Sequence, residues 1–67
     1  MAVARVTEII AGSEKGLEDA IAQGISRANQ TLQNIESAWV QDIKLVVENG
    51  KIKEWRANLK VTFVLND

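Results

Sequence analysis

Apolar and polar residues alternate most strictly near the C-terminal end of the chain. Trp55, Ala57, Leu59, Val61, Phe63 and Leu65 take every second position, with Glu54, Arg56, Asn58, Lys60 and Thr62 between them. A period of two is the mark of a strand with one buried face, so residues 51–65 predict a strand whose odd-numbered side is core. Residues 3–10, VARVTEII, are rich in β-branched types and predict a first strand. Leu17, Ile21, Ile25, Ala28, Leu32 and Ile35 then recur at steps of three and four, one apolar stripe on a helix of about five to six turns. Ser13 is the expected N-cap, with Glu14, Glu18 and Asp19 in the first two turns, where the helix dipole favours acids. Asn34 is the expected end. Ala20 and Gly24 flank the stripe and allow close approach to a sheet. Gly16 and Gly24 each weaken a helix by about 1 kcal/mol, so packing must hold it.

Residues 37–48 predict a further strand, joined to the last by ENGK, in which Asn49-Gly50 accepts the positive φ angles of a tight hairpin. The order is β-α-β-β. The fold class is α+β, a three-stranded antiparallel sheet packed on one long helix, with the first and last strands as neighbours. Residues 1–67 read as one domain, with no linker, repeat or low-complexity segment.

The strand at 37–48 carries Trp39, one of three aromatic residues, among small and polar neighbours. A two-residue turn pairs Val40 with Leu59 and Ala38 with Val61, and sets Trp39 beside Lys60, away from the helix. A three-residue loop with Gly50 in a bulge sets Trp39 beside Leu59 in the core, and pairs Asp42 with Arg56 and Lys44 with Glu54. A bulge within the strand satisfies each register over half its length. The pattern alone leaves these alternatives open.

Composition narrows the function. A chain of 67 residues is marginal as an isolated fold. With no Cys and no His, disulfides and thiolate or imidazole metal sites are unavailable to staple it. An apolar content of 46% fits a molecule that buries surface against copies of itself. The net charge is −1 with both signs spread along the chain, so no basic stripe tracks a nucleic acid. No apolar run reaches the length of a membrane span, the N-terminus lacks a signal-peptide pattern, and a cytoplasmic protein is expected. The usual proton shuttles and the strongest nucleophile are missing, so no enzyme is expected.

The segments VTEIIAGSEKGLEDAI, SRANQTLQNI and LKVTFVL, at this spacing, resemble the dodecin family over essentially the whole chain. The resemblance implies a hollow homododecamer of β-α-β-β protomers that binds small ligands. Many members bind flavins in pairs, with a second-strand Trp stacked on the ring and a third-strand Gln at its polar edge. Here the Trp position falls on Ser37 and the Gln position on Arg56, while Trp39 lies two residues downstream on the same side of its strand. The usual flavin pair, whether of riboflavin or FMN, is therefore disfavoured. A branch called calcium dodecins is similar at both positions, which makes calcium a possible ligand. The acidic residues are scattered, though, and a calcium ion takes six to eight oxygens, so its site would be assembled between subunits.

The expectation is a non-enzymatic homododecameric cage that binds, stores or buffers a small ligand or ion. The alternative is a flavin-binding protein that uses Trp39 as a displaced stacking residue. Ser37, Trp39, Gln41 and Arg56 are the candidate ligand-binding residues. Against this, Trp39 has a plain role as a plate at a subunit contact, and Arg56 as an ion-pair partner of Asp42 or Glu54. Resemblance to the family's ligand face favours Trp39 pointing away from the helix.

Overall fold

The computed structural model describes residues 3–65. Strand β1 (Ala4–Ser13) leads into helix α1 (Leu17–Asn29), and strands β2 (Ile35–Glu48) and β3 (Lys51–Val64) follow as a hairpin. The sheet order is β1-β3-β2, and both pairings are antiparallel. Asn49 (φ 53°) and Gly50 (φ 75°) make the tight turn with both central residues left-handed, the conformation that Asn-Gly tolerates and most residues resist.

The helix packs on β1 and β3. Ala57, Leu59 and Val61 of β3 are fully covered, and Ile9, Leu17, Ile21, Ile25, Leu32, Ile35 and Val40 pack around them. Ala20, Gly24 and Ala28 are the buried helix positions, so the small residues let the helix backbone approach the sheet. Phe63 is only half-buried and Leu65 lies exposed beyond the end of β3, so the covered face is shorter than the alternation predicts. Trp55 is half-buried at the other margin of the core.

Both helix boundaries differ from the sequence expectation. Ser13 does not cap the helix, because Ala11, Gly12 and Ser13 stay in the β1–β3 ladder opposite Ala57, Arg56 and Trp55. The buried Ser13 hydroxyl instead accepts from the Lys15 backbone N–H at 3.0 Å and donates to Asp19 Oδ2, tying the end of the strand to the first helical turn. At the far end the helix stops at Asn29, and the Leu32 N–H closes a last turn on the Ala28 carbonyl at 2.8 Å. Leu32 and Ile35 continue the apolar stripe for a different reason. They reach the same core from the connecting turn and from the start of β2. Asn34 follows the helix rather than ending it. Its left-handed backbone (φ 61°) turns the chain into β2, and its carbonyl accepts from the Val64 N–H at 3.1 Å.

A 13-residue helix is about 20 Å long at 1.5 Å per residue, whereas the molecule extends over 51 Å. The hairpin therefore runs on past the helix, and Ile43, Leu45, Val47 and Ile52 along it are exposed. No helix is long and apolar enough to cross a membrane.

Candidate functional site

Ladder partners share a face, so the side of the sheet away from the helix is read off β3. Glu54, Arg56, Asn58, Lys60 and Thr62 alternate with the buried odd-numbered residues and point to this open face. Opposite them lie Gly12, Ile10, Glu8 and Val6 on β1, and Lys44, Asp42, Trp39 and Ser37 on β2.

Three irregularities in the β2–β3 ladder decide which residues of β2 are on this face. Val47 pairs with Ile52 next to the turn, but Val46 pairs with Glu54, leaving Lys53 as an extra residue on β3. Asp42 then pairs with Asn58 while Val40 pairs with Leu59, leaving Gln41 as an extra residue on β2. A third shift falls between Ile35 and Ser37. The bulge at Gln41 exchanges the two faces of β2. Ala38 and Val40 lie on the helix side before it, and Ile43 and Leu45 on that same side after it. Of the alternatives open in sequence, the register around Trp39 is that of the two-residue turn. Ala38 faces Val61, Val40 faces Leu59 and Trp39 lies beside Lys60. The pairs of Asp42 with Arg56 and Lys44 with Glu54 do not form. Asp42 faces Asn58 and Lys44 faces Arg56.

Trp39 is 64% exposed, a bare indole on an uncovered sheet. The Lys60 ammonium lies 5.6 Å from the centroid of its ring, a cation–π contact. Ser37 is an exposed neighbour on the same side of β2, and Gln41 is the exposed bulge residue. Arg56 is two rows away on β3. It pairs with Glu54 and not with Asp42, and Gly12 opposite leaves room for the Glu54 carboxylate. A Cβ at Gly12 would come within 2.7 Å of Glu54 Oε1.

Arg56, Lys44, Asp42, Asn58, Ile10 and Ala57 line a depression of about 240 Å³. Lys44 and Arg56 face each other directly, a like-charge pairing that is unfavourable unless something neutralises it. Glu54 relieves one side. Asn58 Oδ1, buried here, has no hydrogen-bond partner among the described residues and can accept from a group entering the depression. The structure thus brings Ser37 and Trp39 together and places Arg56 in a separate hollow on the same face. Lys60, Lys44 and Asn58 are the residues that sequence reasoning passed over. Their signal was their even-numbered place on β3, or their place beyond the bulge on β2.

A larger groove, about 550 Å³, runs between β1 and α1 and carries Gln23, Arg27 and Thr31 along its helix side. Among the described residues no three acidic side chains converge as a metal site within one protomer. For a stacked flavin, Ser37 offers no plate at the usual position, and the plate at Trp39 carries a lysine over its ring.

Residues 3–66 match the family model described as Dodecin. A curated relative, Dodecin from Thermus thermophilus, is 32% identical over 65 residues, covering 97% of this chain and 94% of the relative. Among solved structures, dodecin from Streptomyces davaonensis superposes with a TM-score of 0.94 at 36% identity, covering 98% of this chain and 97% of its own. Calcium dodecin from Mycobacterium tuberculosis, described as a calcium-chelating antigen with a novel calcium-binding site, has a TM-score of 0.82 at 32% identity, covering 96% of this chain and 91% of its own.

Proposed function

The chain belongs to the dodecin family, and on that premise we propose that it is a non-enzymatic homododecameric cage. In this reading it binds and stores a small ligand on the open sheet face, without the usual flavin pair. The observation that supports the cage is the apolar surface a lone protomer leaves exposed, on two separate regions. Val6, Ile10 and Trp39 lie on the open face, and Ile43, Leu45, Val47 and Ile52 along the hairpin. Exposed patches of this kind mark interaction surfaces. A closed shell of twelve needs more than one kind of contact, and two distinct surfaces can supply them.

The open face is the ligand side in this reading because it carries the exposed indole, three cations and an unpartnered amide oxygen, with no helix over them. Ser37 at the usual stacking position removes the plate on which a flavin would lie. The absence of convergent carboxylates among the described residues of a protomer means that a calcium site would take oxygens from more than one subunit.

The experiment is light scattering with absorption spectroscopy on the purified protein. A particle of about 89 kDa is expected, twelve times the 7.4 kDa chain, without a tightly held yellow flavin. A monomer or simple dimer at micromolar concentration would sink the cage. A second reading rests on the outward ring of Trp39, in line with Ser37. In it Trp39 replaces the missing plate and a flavin stacks two residues further along the strand. Co-purified flavin whose quenching is lost in Trp39→Ala would establish that reading instead.

A further inference from the structure

We infer that Lys60 and Trp39 act as a pair that recognises a flat aromatic ligand carrying negative charge, with Lys60 setting the charge preference. The inference rests on the proposal that the open face takes a ligand.

Three observations carry it. The first is the row itself. Glu8, Lys60 and Trp39 are direct neighbours across the sheet, on its central strand and both flanks. The second is the choice Lys60 makes within that row. With the Glu8 carboxylate on one side and the indole on the other, its ammonium lies over the indole and within salt-bridge reach of no carboxylate among the described residues. Glu54, the acid elsewhere on this face, is already taken by Arg56. Lys60 is therefore a positive charge not neutralised by any described acid, half-buried and held against an aromatic plate. The third is that the plate is open. Trp39 is mostly exposed, and no described element of the protomer covers it.

These features act differently on neutral and anionic ligands. A neutral flat molecule that stacks on this side of Trp39 must displace the ammonium and recovers nothing for it. A flat anion displaces the ammonium from the ring and pairs with it, exchanging a cation–π contact for a charge-assisted hydrogen bond. The lysine stem is long and flexible enough to swing aside and stay within reach. The usual stacking position in the family has no part in this, since here it is Ser37. The charge selection follows from a residue on β3, one strand away from the plate.

FMN and riboflavin test the pair, because they share one ring system and differ by a phosphate. Wild type, Lys60→Met, Lys60→Arg and Trp39→Phe are titrated with each, following flavin fluorescence, on material that light scattering shows to have the wild-type mass. Wild type should bind FMN about five- to tenfold more tightly than riboflavin. Lys60→Arg should keep most of that preference. Lys60→Met should reduce it to about twofold or less by weakening FMN, since the remaining ring stack does not read charge. Trp39→Phe should weaken both ligands. A preference for FMN that survives Lys60→Met overturns the role of Lys60 and leaves the ligand face standing. Failure of intact wild-type protein to bind either flavin at millimolar concentration overturns the ligand face and this inference with it.

Discussion

Gly24→Ala sets two effects of opposite sign against each other. In the interior of an ordinary helix, replacing Gly by Ala stabilises by about 1 kcal/mol, because the alanine has less backbone freedom to lose. Gly24, however, is buried where α1 meets β1 and β3. A Cβ built there lies 2.8 Å from the Ala11 Cβ, 3.2 Å from Leu59 Cδ1 and 3.7 Å from Ile9 Cδ1. Carbon atoms prefer about 3.5–4.0 Å, so the first contact is too close by roughly 1 Å. The Ala11 methyl cannot rotate away, since it is fixed to the β1 backbone. Leu59 is fully covered and has no free space to turn into. The helix must lift, and overpacking of this kind costs about 1–3 kcal/mol. The net expectation is a destabilisation of about 1 kcal/mol, within a range of about 0–2. Equilibrium denaturation at fixed protein concentration measures it, because assembly makes apparent stability depend on concentration. Ala11→Gly removes the atom that Gly24→Ala strikes. In the double variant the cost of Gly24→Ala should therefore fall by about 1 kcal/mol or more, a coupling that a double-mutant cycle isolates. A stabilised single variant, or additive effects in the cycle, would refute the close approach of helix and strand.

Leu59→Ala should cost about 2–5 kcal/mol, since Leu59 is the largest side chain fully buried under the helix; a loss well under 1 kcal/mol in denaturation would show that the core is misplaced. Trp39→Ala should weaken assembly more than it disturbs the protomer, read as mass by light scattering beside circular dichroism on dilution; an intact oligomer of disordered protomers would contradict the outward ring. Ser37→Trp should raise riboflavin affinity, since a restored stack contributes about 0.5–1.5 kcal/mol beyond its buried area; tight binding by the unmodified chain would show that Trp39 already does this.

Strand β3 was legible because a strict period of two has one physical solution, a ribbon with one face buried, and Ala57, Leu59 and Val61 are the covered residues. The hairpin was legible because Asn49-Gly50 is chemically suited to two successive positive φ angles. The element order, and the need for small residues at Ala20 and Gly24, were equally local properties. The helix ends were not. A stripe at steps of three and four cannot tell a residue on the helix from one that reaches the same core from a turn, and Leu32 and Ile35 are of the second kind. Ser13 has the chemistry of a cap, but the ladder partner that holds it in β1 is Trp55, far along the chain. The candidate site divided in the same way. Ser37 and Trp39 are two residues apart on one strand, so their shared side was readable at once. Which side it was depended on the bulges at Lys53 and Gln41, which a strand adopts only when its partner and the helix above dictate which side chains must be buried. Whether Lys60 turns to Trp39 or to Glu8, and Arg56 to Glu54 or to Asp42, is settled among side chains brought together by three strands. Periodicity records what each segment prefers alone, and tertiary contact decides between preferences that are nearly equal.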